Sequence, residues 1–558
     1  MAPSSSPSDS TNGSANGSST GRSVARATIG VGLMHFLRFA IGFLTQPLFA
    51  HTFGLGASGA GPKIAYADVY TVSTEIIQRL WLIWEKVVNP AFLPAFIGAL
   101  KEDGEERAWK FASTATMLTA LTLLLITPLA WFFMPQIVGV YSQKSPPEQQ
   151  ALTVHMARWM LPALFLLGFS SLTYTILNGY KRFVVAALGD TLWKFGLFAA
   201  AVFITLRHLK PEAALPVIIV GYVIGAGFKL APHIIAISPK WKYLRPRIDL
   251  SDPLTRTMFS LAVPLILGII VSESRGVYLS RLADDPIIKV ESSRAAIKWS
   301  RTILDTFIQV FPYALSIGIF PYLADMARER DKQPLTDTLM GALRVCFFFF
   351  GPLTLILIAI SFPLLSAVWE SGNFTKQDTH SINLPFIGFA LGLLAAAFEM
   401  QLNQTFYAMK RAWLPTASGI GVTVIWVLIA TWGVRAGGGL FAIALAESVS
   451  KSLKCLIMWL LLRPHLGDTK PRENTRFVLQ VLGAAIIAAG VAWALSSILV
   501  PLLAHHARNA QPSKVKMLLA VGTSGLGALV AFTALAWVMK IREAQQLLAV
   551  GQKLKRSK

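Results

Sequence analysis

From about residue 28 the chain alternates long apolar runs with short polar breaks. A helix crossing a bilayer needs about 20 mostly apolar residues. Runs of that size recur near 28–50, 66–98, 111–138, 153–179, 184–206, 215–238, 258–281, 299–325, 340–369, 383–408, 413–434, 440–462, 477–500 and 515–540. The pattern predicts an all-α polytopic membrane protein with about fourteen transmembrane helices. Composition supports this reading, because 54% of the 558 residues are hydrophobic and 14% are charged, against about 25% charged in soluble domains.

The opening stretch, MAPSSSPSDSTNGSANGSSTGR, is too polar to pack, so residues 1–27 read as a disordered tail. The first apolar run is full length and keeps Arg38 inside it, unlike a cleavable secretory signal. Residues 541–558 read as a second, basic tail. Cys346 and Cys455 lie far apart inside apolar runs, which argues against a disulfide framework or a multi-cysteine metal site. No metal and no cofactor are expected.

The formal net charge is +22, and its placement carries information. Lys181-Arg182, Lys240 to Arg247, Arg328 to Lys332, Lys410-Arg411 and Arg463 to Arg476 all fall on loops of one side if the N-terminus is inside. This positive-inside pattern puts both termini in the cytoplasm. Spread over short loops with no soluble module to present them, these cations do not describe a nucleic-acid-binding protein.

Two pieces of the chain recur. NPAFLPAFIGALKEDGEER around Pro94 resembles IGIFPYLADMARERDK around Pro321, at a separation of 227 residues. LNGYKRFVVAAL with Asn178 resembles LNQTFYAMKRAWLPT with Asn403, at a separation of 225. Each copy covers about six spans, so both enter and leave on the same side. That is a parallel repeat about an axis along the membrane normal. The expected domains are a six-helix bundle over 28–240, a second over 258–463, and two additional helices over 477–540.

Charges inside the spans need an explanation, since one at the bilayer centre costs about 2.5–3.5 kcal/mol even on a lenient scale. At 100° per residue, Asp68, Glu75, Arg79 and Lys86 of the second span fall within about 40° of one another. In the eighth span, its repeat-mate, Arg294, Lys298, Arg301, Asp305 and Gln309 fall within about 80°. Two such stripes facing one another would line a basic, wet cavity, with Arg38 of the first span adding a cation and Trp81, Trp84 and Ile303 left to lipid. Arginine suits a phosphate-bearing substrate because it stays charged and donates in a bidentate fork. The plain alternative is a set of structural ion pairs, to which the i,i+4 pairs Glu75 with Arg79 and Arg301 with Asp305 lend themselves. Asp190 with Lys194 reads as structural, and Lys229 and His233 as snorkelling to the surface. Glu273 and Arg275, two residues apart, point to opposite faces, so at most one is expected to face the cavity.

These stripes, together with FGLG, NPAFLPAF, ALSIGIFPYLA, WESGNFTKQDT and FYAMKRAWLPT, resemble the MurJ (MviN) family of lipid II flippases in the multidrug/oligosaccharidyl-lipid/polysaccharide exporter superfamily. The likeness covers most of residues 28–435. It implies two six-helix bundles working by alternating access, with two C-terminal helices lining a groove for a polyprenyl tail. Carried over by position, the family's cavity residues fall on Asp68, Arg79, Arg301 and Asp305, with Arg38 a looser match. The chain departs from the family at FLTQ (43–46), which lacks a second first-span arginine. It also departs in its eighth-span acid, which is Asp four residues after Arg301, and in its eleventh span, which has neither Asn nor Asp.

The expected activity is relocation of an undecaprenyl-diphosphate-linked peptidoglycan precursor from the inner to the outer leaflet of the bacterial cytoplasmic membrane. Arg38, Asp68, Glu75, Arg79, Arg294, Lys298, Arg301 and Asp305 are the expected substrate-binding residues. The partners would be the polyprenyl-diphosphate lipid, membrane lipids and the cell-wall synthesis machinery, with the chain a monomer. Three alternatives stand beside this: an exporter of another polyprenyl-linked glycan, a non-transporting scaffold, or an enzyme with a divalent metal at Asp284-Asp285. The enzyme lacks any acid/base or nucleophile constellation.

Overall fold

The structure, a computed structural model, describes residues 13–56, 64–327, 329–504 and 514–545. Residues 1–12 and 546–558 of the expected tails, and Arg328 among the loop cations, lie outside the described residues. Helix α1 (Gly13–Phe53) begins earlier than its apolar run, so residues 13–27 of the expected N-terminal tail are helical.

The helices begin where proline fixes the first turn and no backbone donor is lost. This holds for α4 (Pro147–Gly179), α6 (Pro211–Ile237), α7 (Pro253–Ala283) and α15 (Pro471–Ala504). Asp252 caps α7 by accepting from the Leu254 N–H at 3.0 Å. A reciprocal capping box between Thr375 and Asp378 starts α11 (Lys376–Ala390). The remaining helices are α2 (Tyr66–Glu102), α3 (Gly104–Tyr141), α5 (Phe183–Leu206), α8 (Ser293–Met326), α9 (Gln333–Ala359), α10 (Ser361–Trp369), α12 (Leu393–Ala408), α13 (Trp413–Gly433), α14 (Gly439–Leu462) and α16 (Lys514–Val538).

Among the described residues, eleven stretches are by themselves long and apolar enough to cross a membrane. One of these, Trp413–His465, is broken at Gly437 (φ 88°) into α13 and α14. Helices α7 and α8, of 31 and 34 residues, complete the fourteen expected spans. Helix pairs α9–α10 and α11–α12 each make one of them.

Helices α1 to α6 pack into an N-terminal bundle, α8 to α14 form the second, and α15 and α16 pair with each other and lean on α9 and α10. The chain reversals after α4 and α12 end alike, as do those after α5 and α16. Lys181 after α4 and Lys410 after α12 both take φ 58°. In each case the next residue's N–H reaches back five positions, Arg182 to the Leu177 carbonyl and Arg411 to that of Phe406, both at 2.9 Å. This left-handed helix ending is a Schellman-type cap.

Helix α7 departs from the expected division. Although it opens the second half in sequence, it packs chiefly on α2 and α3 of the first bundle. Arg107 of α3 grips Asp252 through two bonds of 2.6 and 2.7 Å, which ties the start of α7 to that bundle.

Candidate substrate cavity

A cavity of about 730 Å³ lies between the bundles, lined by α1, α2, α5, α7, α8 and α14. That is the size range of small-molecule sites. Seven basic side chains line it against five acidic ones, so it carries an excess of positive charge.

Arg38 of α1, Glu75 and Arg79 of α2, and Arg294, Lys298, Arg301 and Asp305 of α8 all line this cavity. Arg79 Nε donates to Glu75 at 2.9 Å, and its Nη1 donates to Glu273 of α7 at 2.6 Å. Arg301 Nε donates to Asp305 at 3.0 Å, while its Nη1 stands 3.9 Å from Glu447 of α14. Both i,i+4 pairs therefore exist, and each arginine also reaches a second helix. Lys298 stands over the Tyr70 ring at 4.4 Å. Among the described residues no carboxylate lies within ion-pair distance of Lys298 or of Lys194. These two ammonium groups, one from each bundle, supply the cavity's excess charge.

Asp68 does not line the cavity. It is buried at one end, where α2 and α8 begin and α3 and α7 finish. Its carboxylate takes Arg294 at 3.0 Å and the Ala295 N–H at 2.9 Å. Asp284 completes the lock, 2.8 Å from Arg294 and accepting from the Lys144 N–H at 2.7 Å and the Ser145 hydroxyl at 3.0 Å. Asp285 pairs with Lys144. The carboxylates that seeded a metal-enzyme reading are thus occupied by protein cations. Asn373 adds a clasp to the end of α1, donating to the Thr52 carbonyl at 2.6 Å. This end of the cavity is shut by a latch made from both bundles.

Several expectations change in three dimensions. Lys229 and His233 do not snorkel; both are fully buried. Lys229 lies 2.8 Å from Asp190 and 4.2 Å over the Trp81 ring, so Asp190 pairs with Lys229, and with Arg38 at 3.8 Å, rather than with Lys194. Trp81 and Ile303 do not face lipid. Trp81 is buried, donates to Ser171 at 2.9 Å and packs edge-on against Trp193. Removing one partner from a buried ion pair costs about 3–5 kcal/mol. Asp190→Ala should therefore lower the thermal unfolding midpoint markedly, which a melt in detergent measures, and a melt matching the parent would refute this role.

Glu273 and Arg275 both line the cavity, because α7 runs between the bundles. Glu273 reaches back to Arg79 and to Lys86 at 2.7 Å, while Arg275 reaches forward to Glu447. Gly276 permits the first of these contacts, since a Cβ there would sit 2.0 Å from Arg79 Nη2. Gly276→Ala should displace the guanidinium with little loss of stability, the arginine tip being flexible. If the chain relocates lipid, as the resemblance implies, the expected readout is slower relocation at unchanged accumulation; relocation equal to the parent's would show the contact to be dispensable.

Sequence reasoning missed Glu447, Lys194 and Glu85 as cavity residues. The signal available for Glu447 was an acid inside an otherwise apolar span, costly unless paired or functional. Among the described residues no group of three or more His, Cys, Asp or Glu side chains could hold a metal ion. Cys346 and Cys455 are free and buried.

Residues 58–510 match the family described as "Lipid II flippase MurJ". The chain belongs to the MurJ family. It is 22% identical over 440 residues to a probable lipid II flippase MurJ of Treponema pallidum (strain Nichols), covering 77% of this chain and 82% of that one. It is 24% identical over 488 residues to the lipid II flippase MurJ of Burkholderia cenocepacia, covering 84% and 89%. Among solved structures it resembles a lipid II flippase MurJ in an inward closed conformation, with a TM-score of 0.69 at 18% identity, covering 92% and 99%. An inward-facing MATE family transporter of the MOP superfamily gives a TM-score of 0.63 at 14% identity. The MurJ fold is thus shared, and the relatives are named as transporters rather than enzymes.

Proposed function

We propose that this chain moves a polyprenyl-diphosphate-linked peptidoglycan precursor, lipid II, from the inner to the outer leaflet of the bacterial cytoplasmic membrane. The observation that carries this reading is the pair of ammonium groups that have no carboxylate partner among the described residues, Lys194 over Trp193 and Lys298 over Tyr70, facing one cavity from opposite bundles. A diphosphate bridging them would draw the bundles together. Arg79 and Arg301 would then exchange a carboxylate partner for phosphate oxygens, which match the guanidinium fork equally well. The latch at Asp68, Arg294 and Asp284 would hold the outer end shut while the headgroup enters from the other side. Opening that latch and closing the opposite end is the alternating access that a two-bundle repeat allows. With both termini cytoplasmic, the membrane potential would supply about 2.3 kcal/mol per charge per 100 mV.

Reconstitution of the purified protein with labelled lipid II in proteoliposomes separates the readings. A flippase relocates the lipid intact, an enzyme alters it, and a scaffold leaves it in place. Relocation of other polyprenyl-diphosphate glycans at the same rate would favour a broader exporter, since the paired cations recognise the diphosphate and not the sugar.

A further inference from the structure

A second cavity, of about 250 Å³, lies inside the C-terminal bundle among α12, α13 and α14, with Arg275 shared between it and the central cavity. Its charged lining is Arg275, Glu399, Lys451 and Lys454. Glu399 sits between the two lysines, 3.4 Å from Lys451 Nζ and 2.6 Å from Lys454 Nζ. Arg275 is matched by Glu447, which stands 3.9 Å from Lys451 and is also shared with Arg301. Two ammonium groups therefore share one carboxylate of their own, leaving an excess positive charge that is costly inside a bilayer unless compensated.

The lining is rich in donors. Each ammonium has three, and Glu399 uses one from each. The Ser450 hydroxyl accepts from Arg275 at 3.3 Å, which leaves its own proton free to point into the cavity. The Thr416 and Thr423 hydroxyls are turned back onto the Ala412 and Gly419 carbonyls of their own helix. Lysine and serine donors without a matching acceptor are the complement of an oxyanion.

Position narrows the class. Thr416 lies in the first turn of α13, just past the Lys410-Arg411 reversal, and the exposed Ile420 stands at the rim. The cavity thus meets the outside of the bundle within a few turns of the helix ends, at a depth a lipid headgroup reaches. Gly419 lines it too, and a Cβ there would make only ordinary contact, 3.5 Å from Lys454 Nζ, so a longer side chain built from it would extend into the cavity.

We propose that this side cavity binds a single phosphate group, from either a membrane phospholipid or inorganic phosphate, independently of the transport cavity. The full chain would be delipidated in detergent and its thermal unfolding midpoint followed against inorganic phosphate. Retention of phosphatidylglycerol would be followed by native mass spectrometry. We expect a saturable phosphate shift, a retained lipid, or both, weakened at least tenfold in Lys451→Gln/Lys454→Gln and in Gly419→Leu, and unchanged in Lys298→Gln of the central cavity. Retained lipid alone identifies the headgroup as the source; a phosphate shift alone identifies the free ion. If the double variant does not accumulate, Gly419→Leu decides, because it fills the cavity and leaves every charge in place. Signals equal in parent and variants, lost only in Lys298→Gln, or absent from the parent would overturn the proposal.

Discussion

Replacing Arg301 by alanine should slow lipid II relocation in proteoliposomes by about 10- to 100-fold, with insertion and accumulation close to the parent's. Hydrogen bonds to charged groups contribute about 1.5–3 kcal/mol, and each 1.4 kcal/mol is about tenfold. Arg301 is the cavity cation best placed to exchange partners. It is 37% exposed, holds Asp305 at 3.0 Å, and has Glu447 only 3.9 Å away as a second resting place. Arg301→Lys should recover only part of the rate, since an ammonium lacks the planar fork. Relocation by Arg301→Ala at the parent's rate would remove Arg301 from the substrate path.

The other large effect is expected at the latch. Arg294→Ala leaves the buried Asp68 beside the half-buried Asp284 without their cation. Breaking a buried pair in this way costs about 3–5 kcal/mol, so the closed end should open by roughly two to three orders of magnitude in population. Spin labels at the exposed positions Glu148 of α4 and Gln377 of α11, on opposite bundles, would report a longer distance in Arg294→Ala. Asp68→Asn should shift it less, because an amide oxygen can still accept the Ala295 N–H. An unchanged distance distribution in Arg294→Ala would show that the latch does not hold the bundles.

The span pattern was legible because lipid imposes one rule on every helix: apolar length sets the element. Predicted and observed limits agree closely for α5, α13 and α14. Local pairs were legible too, since residues four apart on a helix meet whatever surrounds them; Glu75 with Arg79 and Arg301 with Asp305 follow that rule. Partners on other helices were not. Angular position on a helix says which way a side chain points, not which helix it meets or at what height. Asp68 shares the stripe of Glu75 and Arg79, yet sits two turns nearer the helix start, at the latch instead of the cavity. Asp190 had Lys194 one turn away, but Lys229 arrives from α6 at 2.8 Å and Trp81 covers it. Glu273 and Arg275 point apart as periodicity requires. Both line the cavity because α7 stands between the bundles, which no local pattern encodes.

The most direct test of the whole account is a cryo-EM structure of the full chain in nanodiscs with lipid II. We predict density for the diphosphate between Lys194 and Lys298, with the Arg79 or Arg301 guanidinium turned from its carboxylate onto a phosphate oxygen. Lipid II density lying outside the central cavity, with every cavity arginine still on its carboxylate, would contradict it.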